Sequence, residues 1–325
     1  MEAWELVNAG LVADTTVNDI LYGLPVAVNK VQDLSDLWDV MSKDGGIVRL
    51  LVDHPEQVRF LEQFETKRSK PRRWSVFVKV DGGQRRAGVS TESPLFGELL
   101  SALFISPAIS VFGFYGHAGN SYASKSSSEA SAFLSAEVEA VNCAAEPFVL
   151  SVGSTPTAHA ASSETRDLLS SQLHGILELH AGNYPMLDLQ QRHTGMIDDE
   201  CIAQRVLATV VSYYPGRGES GSDEALIDAG AIAFSKDTGP LGGYGEVIGK
   251  DWQVGRISQE HGVLVRSSVV TDVRARETLE IGSIVEIVGQ HACLIAAAHQ
   301  WYYIVDKDFE QGKKVVDIWV PWKGW

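Results

Sequence analysis

Six short apolar runs constrain this chain more than anything else in it. They are Asp19–Leu24 (DILYGL), Ile47–Val52 (IVRLLV), Ser75–Asp81 (SVFVKVD), Ile109–Tyr115 (ISVFGFY), Phe148–Gly153 (FVLSVG) and Gly175–His180 (GILELH). Each is apolar on both faces and bounded by Gly, Pro, Asp or His, which is the pattern of a strand covered on both sides, as in a parallel sheet. Amphipathic helical stretches such as Pro55–Thr66 and Ser127–Ala145 lie between them, the latter entered through a Ser-rich segment able to cap it. Strand, helix, strand is the grammar of βαβ units. Six strands are two short of the roughly eight that close a β/α barrel, so the pattern predicts an open sheet or a barrel without two of its units.

After about residue 195 the grammar changes. Arg205–Tyr214, Glu224–Phe234, Trp252–Val254, Gly262–Arg266, Ser283–Val288, Cys293–Ala297 and Trp301–Val305 read as short strands joined by turns. The expected division is therefore an α/β domain over residues 1–195 and an antiparallel β domain over 196–325, with the boundary near Gln191–Asp199.

Charge excludes several classes. The 325 residues carry a net charge of −15, which repels phosphate backbones and anionic lipid surfaces, so neither nucleic acid nor a membrane is an expected partner. No apolar run approaches the roughly 18 residues of a membrane-spanning helix. The first twenty residues carry acids and no basic leader, so no signal peptide is read there. Three widely spaced cysteines make no disulfide framework, and a reducing compartment, the cytoplasm, is expected. The one basic run, Lys67–Arg73, reads as a solvated loop before a strand.

The polar residues that could carry chemistry cluster where apolar runs end. The fifth run passes into Gly153-Ser154-Thr155 and the sixth is followed by Gly182-Asn183-Tyr184. At the last two strand ends of a β/α barrel, such turns hold a phosphate through backbone N–H groups and hydroxyls. Either turn alone is also an ordinary connection. Arg86, after the Asp81-Gly82-Gly83 turn, places a guanidinium where it could meet a phenolate or carboxylate. Tyr115 and His117 end the fourth run and are candidate acid–base groups. His291 and Cys293 stand two apart in an expected strand, which would point both the same way, and imidazole and thiolate are both zinc ligands. A buried cysteine beside a hydrogen-bonded histidine is the plainer account of that pair.

In order along the chain, KVDGGQRRAGV, FYGHAGNSY, SVGSTPT, ELHAGNYPMLD, LIDAGAIAFSKD, ISQEHG and QHACL resemble the eukaryotic D-serine dehydratase family, akin to D-threonine aldolases and more remotely to alanine racemases. The resemblance runs from about Glu2 to Trp325. It implies a pyridoxal-phosphate (PLP)-binding β/α barrel of alanine-racemase type, lacking its first two units, followed by a β domain. It implies that Gly153, Ser154, Thr155, Gly182, Asn183 and Tyr184 hold the PLP phosphate. Arg86 would lie near the cofactor ring, with Tyr115 and His117 close by, and His291 and Cys293 would bind zinc. The implied reaction takes D-serine to pyruvate and ammonia, with PLP as electron sink and zinc polarising the departing hydroxyl.

One departure matters. The family's cofactor-anchoring lysine belongs to a basic, His-rich motif on the first barrel strand, and no such motif occurs here. Lys79 falls on what would be the fifth strand and is not expected to replace it. A shortened form of a longer protein, with little or no activity, is therefore expected. Two rivals stand beside this reading: a D-threonine aldolase-type lyase, and a non-catalytic PLP- or metal-binding relative. The unpaired strand edges of an open barrel invite pairing with another chain, so a homodimer is a further possibility for partners.

Overall fold

All six doubly apolar runs form strands: β1 (Asp19–Pro25), β2 (Ile47–Val52), β3 (Trp74–Lys79), β4 (Ile109–Tyr115), β5 (Phe148–Val152) and β6 (Gly175–Leu179). Each pairs in parallel with the next, giving one open sheet in sequence order. Right-handed crossovers between strands that never reverse their order all fall on the same side. The helices obey. Helices α2 (Val31–Met41), α3 (Pro55–Glu65), α4 (Pro94–Ile105), α5 (Ser127–Val141) and α7 (Ser163–Gln172) share a single core with one face of the sheet. That face presents Val48, Leu50, Val52, Trp74, Val76 and Val78. Two further helices, α1 (Glu2–Asn8) and α6 (Thr155–Ala160), complete the set in this region. The opposite face, the interior of a β/α barrel, carries Arg49, Leu51, Ser75, Phe77 and Lys79. The architecture is thus a β/α-barrel sheet of six strands.

The structure, a computed structural model, describes residues 2–117, 119–142, 148–240, 242–267 and 278–323. It divides into two units, one of Met1–Ser121, Ser131–His180 and Trp322–Trp325, the other of Tyr122–Ala130 and Ala181–Pro321. The second unit holds a closed antiparallel barrel of β7 (Val206–Tyr214), β8 (Glu224–Ile227), β9 (Gly245–Val247), β10 (Trp252–Ser258), β11 (His261–Arg266) and β12 (Ile284–Gly289), in the order β10-β11-β8-β7-β12-β9. Val210, Ile227, Trp252, Val254, Leu264 and Ile287 fill it. Helix α8 (Leu189–His193) precedes the barrel, and α9 (Ala292–Ala298) follows β12. A separate two-stranded ribbon of β13 (Tyr302–Val305) and β14 (Val315–Trp319) comes last.

Three expectations are corrected. Cys293–Ala297 is not a strand but most of α9. After β12 ends at Gly289, the segment ACLIAAA is rich in the best helix former and buries Ala292, Ile295 and Ala296 at helical spacing. The run from Glu224 keeps strand pairing only to Ile227, where Asp228 turns the chain by accepting the Thr209 N–H at 2.6 Å. The helix expected over Ser127–Ala145 ends at Val141, and residues 143–147 lie outside the described residues.

The basic run is a largely exposed loop before β3, as expected, except at Arg68 and Arg72. Arg72 stacks 4.1 Å from the Trp38 ring and, with Arg68, donates to Ser35 Oγ and to Asp39. Beneath them Glu65, 2% exposed, accepts the Trp74 indole N–H at 2.9 Å and the Arg72 backbone N–H at 2.8 Å. The guanidinium groups seal α2 and α3 against the start of β3 rather than facing solvent. Glu65→Ala strands the indole donor and a backbone N–H and removes a buried countercharge from two arginines, so it is expected to lower unfolding stability by about 3 kcal/mol. Urea unfolding of both proteins checks this, and a loss under about 1 kcal/mol contradicts the seal.

Candidate active site

Parallel pairing sets a row of polar groups across the C-terminal end of the first unit's sheet. Lys79, the last residue of β3, pairs with Tyr115, the last of β4, and Tyr115 pairs with Ser151 of β5. In register across parallel strands, their side chains share the interior face. His180 follows β6, accepts or donates one hydrogen bond at Nδ1 with Ser151 Oγ (3.1 Å), and stacks on Tyr115 with ring centroids 4.4 Å apart. His117, two residues past β4, has its ring 5.9 Å from that of His180 and donates Nδ1–H to the Gly153 carbonyl at 2.8 Å.

Burial governs the charges here. Lys79 is 5% exposed; its ammonium donates to the Val80 carbonyl at 2.9 Å and lies 5.6 Å from the Tyr115 ring. Desolvation first, then the positive charge of Arg86, brings its pKa down to about 8. The same two causes, with Gly153 partly opposing them, lower that of His117. His180 is pushed down to about 3, by burial first and then by the neighbouring His117 and Lys79. Both imidazoles are therefore neutral near pH 7. His180 Nε2 is buried and makes no well-formed hydrogen bond among the described residues.

Two glycines are forced by close approach. Gly88 has φ +108°, and a Cβ there would meet the Val80 carbonyl carbon at 2.6 Å, where Val80 and Val89 bridge to close the loop bearing Arg86. Gly153 has φ +142°, and its Cβ would sit 2.3 Å from the His180 backbone oxygen. Arg86 itself is exposed. Ser154 caps α6 in a capping box with Thr157, and its Oγ lies 2.7 Å from that of Ser121; Thr155 is fully buried beside it.

The remaining expected site residues belong to the second unit. Gly182 has open space where a Cβ would be, and Tyr184 is 68% exposed. Asn183 is buried and donates its amide hydrogens to Asp188 and to Gln191 Oε1. His291 is the extended residue that caps α9, and Cys293 lies in its first turn. They are not strand neighbours, yet they meet: the Cys293 side chain hydrogen-bonds the imidazole, and Asp237 holds its Nδ1 at 2.6 Å. Tyr122 lies alongside, 6.1 Å between ring centroids. Among the described residues no three His, Cys, Asp or Glu side chains gather as a metal site.

Sequence reasoning passed over His180, Asp188 and Asp237. His180 had a signal, since it closes the sixth apolar run much as His117 follows the fourth. Asp237 and Asp188 end the motifs LIDAGAIAFSKD and ELHAGNYPMLD, with nothing local to mark what they touch.

Comparison with known proteins adds the family. Residues 32–171 match the "Alanine racemase, N-terminal domain" model and residues 203–305 the "Putative serine dehydratase domain" model. The whole chain is 42% identical to D-serine dehydratase of Schizosaccharomyces pombe, spanning 78% of that protein, and 33% identical to that of Saccharomyces cerevisiae, spanning 79%. This chain belongs to the D-serine dehydratase family. The solved D-threo-3-hydroxyaspartate dehydratase from Delftia sp. HT23 is 28% identical, with a TM-score of 0.76 over 98% of this chain and 83% of that one. Within this D-serine dehydratase family member, the Lys79–Tyr115–Ser151 row occupies the strand ends where barrel enzymes carry their chemistry.

The buried ammonium has a measurable cost. Its unfolded pKa is the ordinary 10.5, so the unfolded chain binds more protons between about pH 8 and 10.5, and stability rises with pH across that window. Lys79→Met is expected to stabilise the fold at pH 7 by about 3 kcal/mol, an advantage that shrinks by pH 10. Thermal unfolding at both pH values checks this; an equal gap at both contradicts it.

Proposed function

We propose that this protein is a PLP-dependent D-serine dehydratase, forming pyruvate and ammonia from D-serine. The observation that carries the reading is the cluster of Lys79, Tyr115, His117 and His180 at adjacent strand ends, in a chain 42% identical throughout to a D-serine dehydratase. The residues fit the cofactor. His180 Nε2 is a buried polar atom beside Tyr115 and His117, and Gly153 lets the turn after β5 close against the His180 backbone, so the two strand ends meet. PLP, when bound, supplies the electron sink for loss of the α-proton. The stacked rings of Tyr115 and His180 would help to hold the cofactor ring, with Arg86 adding positive charge nearby. His117, neutral and held through Nδ1, is suited to accept a proton. Gly153, Ser154 and Thr155, together with Gly182, Asn183 and Tyr184, are assigned to the phosphate.

His291 and Cys293 are assigned to zinc. Their hydrogen-bonded contact, with Asp237 orienting the imidazole, is the arrangement of a metal-ligating histidine and its carboxylate partner. In solved structures of a D-threo-3-hydroxyaspartate dehydratase, 27% identical to this chain, a histidine and a cysteine two positions apart have each been replaced by alanine, the cysteine variant in the metal-free form. Zinc, when bound, supplies a Lewis acid for the departing hydroxyl. No described helix is long and apolar enough to cross a membrane.

The reading predicts pyruvate and ammonia as the products from D-serine. Pyruvate formation with added PLP and zinc, and borohydride trapping of any lysine adduct, test this. Glycine plus an aldehyde from D-threonine as the main reaction would favour an aldolase. PLP bound without any pyruvate from D-serine would overturn the reading.

The binding assignments are separable from activity. Ser154→Ala with Thr155→Ala is expected to weaken PLP binding about tenfold in an absorbance titration, the loss of charge-assisted hydrogen bonds. Elemental analysis is expected to find about one zinc per chain, lost when His291 and Cys293 are both replaced by Ala.

A further inference from the structure

Asp188 is 1% exposed and sits where the ELHAGNYPMLD segment enters α8. Its Oδ1 accepts the Gln190 backbone N–H at 3.0 Å and so caps that helix. Its Oδ2 accepts from two directions: the Asn183 amide, and the Ala292 backbone N–H at 2.8 Å. Ala292 stands between His291 and Cys293, and Asn183 stands between Gly182 and Tyr184. One carboxylate therefore joins two segments 104 residues apart, each of which bears assigned ligand-binding residues.

We propose that Asp188 is a positioning residue that holds the Gly182–Tyr184 turn and the His291–Cys293 pair in one fixed register. The inference rests on the binding assignments made above. A carboxylate suits the task because it accepts on both oxygens and donates on neither. Asparagine in its place must turn its N–H₂ either toward the Gln190 N–H or toward the Asn183 and Ala292 donors, breaking one contact or two. The tie also complements the one from Asp237. Asp237 fixes the imidazole ring through Nδ1, whereas Asp188 fixes the backbone one residue on, so His291 is constrained at both ends. Asn183, with its amide spent on Asp188 and Gln191, passes the same constraint into the turn and would meet a phosphate through its backbone.

The test compares zinc affinity, by competition with a chromophoric chelator, and PLP affinity, by absorbance, in the whole chain and three variants. Asp188→Asn is expected to weaken both by about ten- to a hundredfold, the usual effect of removing a group that orients ligands. Cys293→Ala is expected to lose zinc and keep PLP. Asn183→Ala, which cuts the turn side only, is expected to weaken PLP and keep zinc; it also serves if Asp188→Asn fails to fold. Both affinities within twofold of the parent in Asp188→Asn would overturn the proposal, whatever the melting temperature. So would an Asn183→Ala variant that loses both ligands alike. If the parent binds neither ligand, the assignments above fail, and hydrogen exchange at the Ala292 amide decides this one: at least tenfold faster exchange in Asp188→Asn is expected, and unchanged exchange rejects the tie.

Discussion

Everything in the first unit follows from parallel strands laid down in sequence order. With no reversal, each crossover returns on the same side, and the helices cover one face alone. The other face is left to the strands' own side chains. All strands point the same way, so their C-terminal residues arrive together. Lys79, Tyr115 and Ser151 are neighbours because β3, β4 and β5 are, although 36 residues separate each from the next along the chain. Arg49 shows the same face at its other end, donating to Ser75 and Asp19 while lying 3.4 Å from the Phe112 ring.

That geometry explains which parts could be read from sequence. A strand covered on both faces is apolar at most positions, and β3, buried at all six residues with only Ser75 and Lys79 polar, is an unmistakable run. The closed barrel of the second unit was harder, because its strands are short and β9 has only three residues. The segment after β12 was read with the wrong period. Seven residues of mostly Ala, Leu and Ile satisfy an alternation of two as well as a helical spacing, and only the burial of Ala292, Ile295 and Ala296 decides between them. His291 and Cys293 meet all the same, since the extended cap residue bends the chain into the first turn. Within the basic run Lys67–Arg73, Arg68 and Arg72 departed from the solvated reading for another reason. Arginine buries its planar head against indole rings where lysine would not, and the partners Trp38 and Glu65 lie outside the run.

Long-range polar ties were the least legible of all. Nothing near Asp188 announces Ala292, and nothing near Asp237 announces His291. Lys79 was visible as a lysine on a strand, but its meaning depends on neighbours supplied by β4 and by the loop holding Arg86. A fold that keeps an ammonium out of water against such a cost is not optimised for stability there, which is the usual mark of a site kept for chemistry.

Trp74 and Trp252 have parallel settings in the two units. Both are fully buried, and each lies beside an arginine, Arg72 at 4.9 Å and Arg266 at 4.0 Å from the ring. Each unit thus carries its own intrinsic fluorophore, screened from solvent and quenched or shifted only when its surroundings open. With phenylalanine in place of all but one of the chain's eight tryptophans, emission reports on a single unit, and the cooperativity of the whole chain becomes an optical question: coincident transitions from Trp74 and Trp252 mean the units melt as one, separated transitions mean each holds its own.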